Sequence, residues 1–213
     1  MTRIVGLGAG GHGQVVREIV LALGGYHFEG FLDPDPEAAG RTGFPVLGSD
    51  SFLEVLYAGG ICTAFNGVGG FGEGTAHRRV YEKARAMGMV FPWLAHPSAV
   101  VAPSARLGSG TVVCAQAVVN TAAEVGENVI INTSASVDHH CVVGGHVHLA
   151  PGVRLAGGVH IGEGAQLGMG SLVREGVRIG AGAVVGAGAV VLADIPEGGF
   201  AVGVPAELKE RVV

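Results

Sequence analysis

The chain has 213 residues, of which 48% are hydrophobic and 15% charged, and it carries a formal charge of −5 at pH 7. The negative charge and the lack of a basic stripe argue against a nucleic-acid-binding protein. Glycines and charges interrupt every apolar stretch before it approaches ~20 residues, so we expect no membrane-spanning helix and no signal-peptide core. The three cysteines are scattered and form neither a metal motif nor a disulfide framework. We therefore expect a soluble cytoplasmic protein.

Strands and helices alternate over residues 1–95. Short apolar segments predict strands, and a helical apolar period followed by Gly24 and Gly25 predicts where the first helix ends. We expect strands at 3–8, 27–32, 61–65 and 89–93, helices at 14–23, 52–57 and 75–87, and a glycine-rich loop at 66–74. Such alternation is typical of a small α/β domain with a Rossmann-like parallel sheet.

A glycine turn joins the first predicted strand to the first helix. Gly6, Gly8 and Gly11 match the G-x-G-x-x-G spacing, and backbone N–H groups at such a turn favour a phosphate. Asp33 lies 22 residues after Gly11, where a carboxylate can accept hydrogen bonds from a ribose or a base. These features predict a nucleotide site, while a redox dinucleotide or a purely structural turn remain alternatives. The small size of the domain and the side-chain donor of His12 count against a dinucleotide.

Residues 101–196 repeat every six residues without interruption. Such a period fits neither an α-helix nor simple alternation, but it is typical of a β-solenoid in which each hexad makes one strand and one corner. Three hexads per triangular coil give about five coils, with glycine serving the corners. A disordered tract would not keep this register. An aliphatic residue opens every hexad and is expected inside: Val101, Leu107, Val113, Val119, Val125, Ile131, Val137, Val143, Leu149, Leu155, Ile161, Leu167, Val173, Ile179, Val185 and Val191.

Polar residues gather at one place in this repeat. Asp138, His139 and His140 lie at a predicted corner, and His146, His148 and His160 follow. An imidazole is the natural general base at neutral pH, so His139 is a candidate base and Asp138 a candidate partner that fixes its tautomer. A zinc site and plain surface polarity are the alternatives. Cys141 falls on the small inward position that follows four places after each aliphatic residue, so we expect it to pack in the core.

The later coils are rich in glycine and alanine. Ala156, Gly157, Gly168 and Gly186 would leave backbone amides uncovered, so that a long thin ligand could lie along this wall. The alternative is that glycine is needed there only for the corners.

Several motifs together resemble one enzyme family. They are the turn from Gly8 to Gly13, the entry at 96–99, the hexapeptide repeat, Asn132-Thr133, Val137-Asp138-His139 and the closing segment 203–206. In this combination the chain resembles the acetyl-CoA-dependent nucleotide-sugar N-acetyltransferases of the left-handed β-helix class. It is similar to the bacillosamine and perosamine N-acetyltransferases, and the sialic acid O-acetyltransferases are close relatives. The resemblance covers nearly the whole chain.

The resemblance implies a homotrimer with each active site between two neighbouring solenoids; outward apolar residues such as Val118 and Ile130 would be consistent with this. The implied catalytic group is His139, Asp138 and His140, where His140 stands at a position that is often acidic in relatives. The implied acetyl-CoA-binding residues are His148, Ala156, Gly157, Gly168, Gly186, Gly203 and Pro205, with the amide of Gly157 as oxyanion donor. The implied sugar-nucleotide-binding residues are Gly8, Gly10, Gly11, His12, Gly13, Asp33 and Asp35. No metal is implied.

We therefore expect residues 1–95 to bind a sugar nucleotide. Residues 96–213 are expected to form a left-handed parallel β-helix acetyltransferase domain with a short C-terminal tail. The predicted reaction moves an acetyl group directly from acetyl-CoA to the amine of a nucleotide-linked sugar of the 4-amino-4,6-dideoxy type, with His139 as general base. Sugar O-acetylation, a trimeric β-helix zinc carbonic anhydrase and a non-catalytic sugar-nucleotide sensor are the alternatives.

Overall fold

The computed structural model describes residues 1–35, 37–38, 43–70 and 75–210. The chain divides into two compact units, Met1–Pro97 and Ser98–Val213. None of the helices in the described part of the chain is long and apolar enough to cross a membrane. The predicted loop at 66–74 is described only as far as residue 70.

The first unit is a four-stranded parallel sheet with helices between its strands. The strand order is β3-β2-β1-β4, so the chain reverses direction across the sheet between β1 and β4. In open α/β sheets a ligand crevice forms at such a switch point, outside the carboxyl ends of the strands. The elements are β1 Thr2–Leu7, α1 Gly11–Leu23, β2 Tyr26–Leu32, β3 Val46–Gly48, a 3₁₀ turn Asp50–Phe52, α2 Leu53–Ala58, β4 Thr63–Asn66, α3 Thr75–Ala86 and β5 Leu94–Ala95.

One face of the sheet of the first unit is covered by an apolar cluster. Val5, Leu7 and Leu32 from the strands pack with Tyr81 of α3 and Phe91, and all five side chains are buried. The strand predicted at 89–93 is reduced to a single parallel bridge between Thr63 and Val90. Because only one residue pairs there, the segment does not extend the sheet.

The second unit is a left-handed parallel β-helix, as predicted. Every third strand lies in the same sheet, so each coil contributes one short strand to each of three sheets. Sheet I contains β8, β11, β14, β17, β20 and β22 with β23 antiparallel at its edge, sheet II contains β6, β9, β12, β15, β18 and β21, and sheet III contains β7, β10, β13, β16 and β19.

The strand bounds of the second unit follow the six-residue register from β6 to β21. They are β6 Val100–Val101, β7 Arg106–Leu107, β8 Val112–Val113, β9 Val118–Val119, β10 Glu124–Val125, β11 Ile130–Ile131, β12 Ser136–Val137, β13 Val142–Val143, β14 His148–Leu149, β15 Arg154–Leu155, β16 His160–Ile161, β17 Gln166–Leu167, β18 Leu172–Val173, β19 Arg178–Ile179, β20 Val184–Val185, β21 Val190–Val191, β22 Phe200–Val202 and β23 Glu207–Leu208.

The predicted inward series forms the core of this β-helix. From β6 to β21 the second residue of each strand points inward, and Val119, Ile131 and Leu149 are fully buried. The first residue of each strand occupies the outer wall. Ile130 was expected to expose an apolar side chain there, but it is only 1% exposed. That expectation was wrong for Ile130, whereas Val118 is half-buried.

Glycine has two separate uses in the coils. The second residue of the turns is left-handed, with φ of 64° at Gly158 and 57° at His140, which is the conformation that glycine adopts without steric cost. The glycines directly after the inward aliphatic residue serve a different purpose. A Cβ added to Gly144 would lie 2.7 Å from the backbone nitrogen of Glu163 in the next coil. These glycines are therefore required by coil stacking rather than by corner conformation.

A matched pair of substitutions tests the stacking requirement. Gly144→Ala should lower the free energy of unfolding by about 1–3 kcal/mol, because the backbone of the next coil must move to admit the methyl group. Gly145→Ala is the control, since its Cβ would meet nothing closer than 3.4 Å, and it should change stability by about 0.5 kcal/mol or less. Chemical denaturation measures both. Equal destabilisation by the two variants would contradict the stacking argument.

Candidate active site

Asp138 caps the turn that carries His139. One carboxylate oxygen of Asp138 accepts the backbone N–H of His139 at 2.7 Å and the side-chain amide of Asn120 at 2.9 Å. The carboxylate therefore holds the corner between sheets II and III. The expected bond from Asp138 to the imidazole of His139 is not among these contacts. Asn120, one coil earlier, is a supporting residue that the sequence analysis missed, because its role follows only from the stacking of coils.

The imidazole of His139 has another imidazole as its neighbour. Nδ1 of His139 lies 3.2 Å from Nδ1 of His140, and the two rings meet edge to face. Both side chains are exposed. Two ring nitrogens can share a hydrogen bond only when one carries the proton and the other accepts it. A proton on Nδ1 of His139 leaves its Nε2 with a lone pair, which is the state that a general base requires.

Gly157 lies beneath the ring of His139. A Cβ added to Gly157 would sit 2.6 Å from Nε2 of His139, so no larger residue fits while the ring keeps this position. At the same turn position one coil earlier, the N–H of His139 is accepted by Asp138. Gly157 follows Ala156, which has no side-chain acceptor. The candidate base and an amide without a side-chain cap are thus placed side by side.

The remaining histidines lie on other parts of the β-helix. Nδ1 of His146 is 2.9 Å from the amide of Asn128, at the corner between sheets III and I. His148, on β14 of sheet I, is 8% exposed, and its Nε2 is 3.3 Å from the amide of Asn132. In one triangular coil the corner that carries His139 is opposite the side that carries His148. One chain therefore does not bring these two histidines together.

The predicted acetyl-CoA residues also fall on two sides of the β-helix. Ala156 and Gly157 lie at the corner between sheets II and III, whereas Gly168 and Gly186 follow strands of sheet I. Gly203, with φ of 101°, and Pro205 follow β22. A Cβ on Gly168 would lie 2.5 Å from the nitrogen of Ala187, so coil stacking alone already requires glycine there.

A shallow groove of about 610 Å³ runs over sheet III. The outward side chains of consecutive strands form it, so the sequence pattern alone did not distinguish it from any other part of the wall. It is lined by residues from the later coils, among them Val142, His160, Arg178, Asp194 and Glu197.

In the first unit, the glycine turn follows a different frame from the one predicted. Gly6 packs against aromatic rings, because an added Cβ would lie 2.6 Å from Phe31 and Phe65. Gly8 has φ of 99°, and a Cβ on Gly13 would collide with the carbonyl oxygen of Gly8. Gly10 and Gly11 face open space. Gly8, Gly10 and Gly13 therefore match the G-x-G-x-x-G spacing with the geometry of the turn, approach and packing glycines that phosphate-binding turns typically have.

Asp33 ties the end of β2 to this turn. Its two carboxylate oxygens accept the backbone N–H groups of Ala9 at 2.8 Å and of Asp35 at 2.9 Å. Asp33 and Asp35 are half-buried, and so is His12 in the first turn of α1. The predicted nucleotide residues thus surround one turn, which Asp33 stabilises through these two bonds.

A buried clamp at the end of β4 was not predicted. The amide of Asn66 donates to the carbonyl of His77 at 2.9 Å, and Nδ1 of His77 donates to the carbonyl of Val68 at 2.7 Å. The clamp places Gly67 so close to Gly13 that a Cβ added to Gly67 would lie 2.8 Å from the Cα of Gly13. Nothing in the spacing of Asn66 and His77 indicates this contact.

Comparison with known proteins identifies the family. Residues 3–84 match the PglD N-terminal domain, and residues 158–193 match the bacterial transferase hexapeptide (six repeats). The acetyltransferase domain of PglB from Neisseria gonorrhoeae FA1090 is 39% identical, with a TM-score of 0.91 over 98% of this chain and 99% of that one. A histidine-to-alanine mutant of GDP-perosamine N-acetyl transferase from Caulobacter crescentus, in complex with CoA and GDP-perosamine, is 41% identical, with a TM-score of 0.92 over 98% and 97%.

The chain belongs to the hexapeptide-repeat family of nucleotide-sugar N-acetyltransferases. WeeI from Acinetobacter baumannii AYE is a more distant relative at 26% identity, with a TM-score of 0.80 over 98% of this chain and all of that one. A comparison with curated proteins finds no match. The predicted family and the predicted enzyme class, a sugar N-acetyltransferase, are confirmed.

Two of the thiols of this N-acetyltransferase are unsuited to covalent catalysis. Cys114 and Cys141 are fully buried. Burial raises the pKa of the Cys114 thiol to about 12 and also raises the pKa of Cys141, whose sulfur donates to the carbonyl of Ala156. Among the described residues no group of three or more His, Cys, Asp or Glu side chains could hold a metal ion.

Thiol titration checks the burial of these cysteines. In the native protein an aromatic disulfide reagent at pH 8 should react rapidly with Cys62 alone, which is only half-buried. Cys114 and Cys141 should react slowly, because burial both blocks the reagent and disfavours the thiolate. All three thiols should react in denaturant. Rapid reaction of either remaining thiol in native Cys62→Ser protein would contradict the structure.

Proposed function

We propose that this chain transfers the acetyl group of acetyl-CoA to the amine of a nucleotide-linked 4-amino-4,6-dideoxy sugar. The observation that supports the proposal is the closeness of Nε2 of His139 to Gly157, which suits a base beside an oxyanion donor. The solved relatives support the substrates. PglB from Neisseria gonorrhoeae was solved with acetyl coenzyme A, and PerB from Caulobacter crescentus, 42% identical, with CoA and GDP-perosamine.

The reaction is a direct transfer within a ternary complex. The sugar amine attacks the thioester carbonyl, a C–N bond forms, and Nε2 of His139 takes the proton that the amine loses. The N–H of Gly157 stabilises the oxyanion of the tetrahedral intermediate. The C–S bond then breaks, and the proton on His139 passes to the departing thiolate of coenzyme A. No acyl-enzyme is required, which agrees with the burial of Cys114 and Cys141.

His140 takes the place of the acidic partner in this scheme. Its Nδ1 accepts the proton of Nδ1 of His139, since the two atoms lie 3.2 Å apart. This bond orients the base and keeps the lone pair on Nε2. Asp138 contributes indirectly, because it caps the turn by accepting a hydrogen bond from the N–H of His139.

The proposed active site is completed by a second copy of the chain in a homotrimer. His139 and His148 lie on opposite sides of one β-helix, so His148 and Gly168 of a neighbouring copy can meet His139 only across an interface. Apolar side chains on the outer wall support such an interface. Val100 is 61% exposed and Leu172 is 42% exposed on sheet II, and Val142 is 40% exposed on sheet III.

The first unit is proposed to bind the sugar nucleotide. The open backbone at Gly10 and Gly11, at the N-terminus of α1, suits the pyrophosphate. Asp33 and Asp35, at the end of β2, would face the ribose or the base, and His12 would add a donor. An enzyme with these substrates would work in the cytoplasm, where acetyl-CoA and nucleotide sugars are available.

Replacing His139 tests the chemistry. His139→Ala should lower kcat about 10²-fold or more, which is the usual contribution of a general base. His27→Ala is a matched control, because His27 is an exposed histidine on β2 of the first unit. Coenzyme A release under saturating substrates is the measurement. Unchanged turnover in His139→Ala protein of normal thermal stability would refute the role of the base.

A substrate panel tests the assigned acceptor. Purified enzyme should release coenzyme A with GDP-, UDP- or dTDP-linked 4-amino-4,6-dideoxy sugars, and one nucleotide should be preferred by at least about tenfold in kcat/KM, because the nucleotide is held by specific contacts. The matching sugars with a hydroxyl in place of the amine should be inactive. Acetylation of a hydroxyl sugar or of free sialic acid at a comparable rate would refute the assignment.

A further inference from the structure

The turn formed by Gly157 and Gly158 is held by hydrogen bonds to both adjacent coils and to His160. The carbonyl of Gly157 accepts a hydrogen bond from the N–H of Gly176 in the next coil at 3.0 Å. The N–H of Gly158 donates to the carbonyl of His139 in the preceding coil at 2.9 Å. The carbonyl of Gly158 accepts a hydrogen bond from Nδ1 of His160 at 3.0 Å. Two successive glycines have more backbone freedom than any other pair of residues. The precision of this turn therefore depends on bonds supplied from outside it.

The bond to Gly158 fixes the tautomer of His160. A backbone carbonyl can only accept, so Nδ1 of His160 must carry a proton in this contact. The neutral ring then has its lone pair on Nε2. His160 also lines the groove over sheet III, so its ring lies between that groove and the Gly157–Gly158 turn.

The coil that carries the base lacks this bond. The residue equivalent to His160 after the His139–His140 turn is Val142, which has no side-chain donor. That turn is capped instead by Asp138 through the N–H of His139. Ala156 cannot supply such a cap to Gly157. The Gly157–Gly158 turn has no side-chain cap on the N–H of Gly157, and it has instead a hydrogen bond from His160 to the carbonyl of Gly158. The N–H of Gly157 is therefore available for a ligand.

We infer that His160 is a positioning residue for acetyl transfer. It holds the Gly157–Gly158 turn so that the N–H of Gly157 points at the oxyanion while His139 takes the proton. This inference rests on the proposed function, since it assigns to His160 the task of orienting the oxyanion donor of that reaction. A displacement of a preorganised donor lowers the rate of the chemical step rather than the affinity for the ground-state substrates.

Two substitutions separate the Nδ1 bond from other roles of the ring. Asn places its amide nitrogen where Nδ1 of histidine lies, so His160→Asn can keep the bond to Gly158, whereas His160→Ala removes it. We expect His160→Ala to lower kcat about tenfold, the loss that one hydrogen bond typically causes, with KM for acetyl-CoA changed less than about twofold. His160→Asn should recover kcat to within about threefold of the wild type.

Controls distinguish positioning from groove contact and from base chemistry. Arg178→Ala alters the same groove without touching the turn, and it should not reproduce the loss of kcat. The pH profile of kcat/KM should keep its shape in His160→Ala protein, because the base is His139. Thermal denaturation of both His160 variants should stay close to that of the wild type, since His160 is an outward side chain on β16.

Several results would overturn the inference. A His160→Asn enzyme as slow as His160→Ala would assign the effect to Nε2. A raised KM for acetyl-CoA with unchanged kcat would make His160 a ligand contact instead. Unchanged kinetics in His160→Ala, with His139→Ala inactive, would remove the role of His160 and leave the proposed function intact. Unchanged turnover in His139→Ala would refute the proposed function itself, so the two failures can be told apart.

Discussion

The backbone hydrogen-bond ladder between coils is the constraint on which the second unit depends. Ile130 pairs in register with His148, and His148 with Gln166, so each residue lies beside the one eighteen places away. The ladder works only while adjacent backbones stay close. At Gly144 and Gly162 they are so close that no side chain can be admitted. The close packing of backbones in adjacent coils therefore determines which residues become neighbours.

Because of this register, differences in sequence between coils determine which side chains lie beside one another at a corner. One column at the corner between sheets II and III contains Asn120, Asp138 and Ala156, and the next contains His139 and Gly157. Asn120 and Asp138 are bonded to each other, and Asp138 caps the turn of His139. At Ala156 the column has no polar side chain, so the N–H of Gly157 has no side-chain cap from that position. The candidate site lies where the column changes from capped to uncapped turns.

The architecture could be predicted because one aliphatic residue per hexad is a long-range signal that a single sequence displays. The roles of individual residues could not, because they depend on neighbours one coil away. Asp138 was a candidate partner for the imidazole of His139, and in the structure it caps the turn through the N–H of His139. Gly6 fits the glycine spacing in the sequence, yet in the structure its space is taken by aromatic rings, and Gly13 makes the close approach to Gly8. His160 was noted only as one of several histidines in the repeat, and its bond could not be predicted, since its partner is a backbone carbonyl.

Side chains at the left-handed turn positions show the same dependence on stacking. A residue other than glycine there costs roughly 1–2 kcal/mol, and the later coils avoid this cost with glycines such as Gly158. At four of these positions polar side chains contact each other from coil to coil: Ser134 donates to Gln116 eighteen residues earlier, and His146 meets Asn128 at the same interval. His140, with φ of 57°, differs from these four, because it contacts the adjacent His139 rather than a residue in the next coil. Its strained turn is thus coupled to the ring of the proposed base, which gives a physical reason for histidine rather than glycine at that corner.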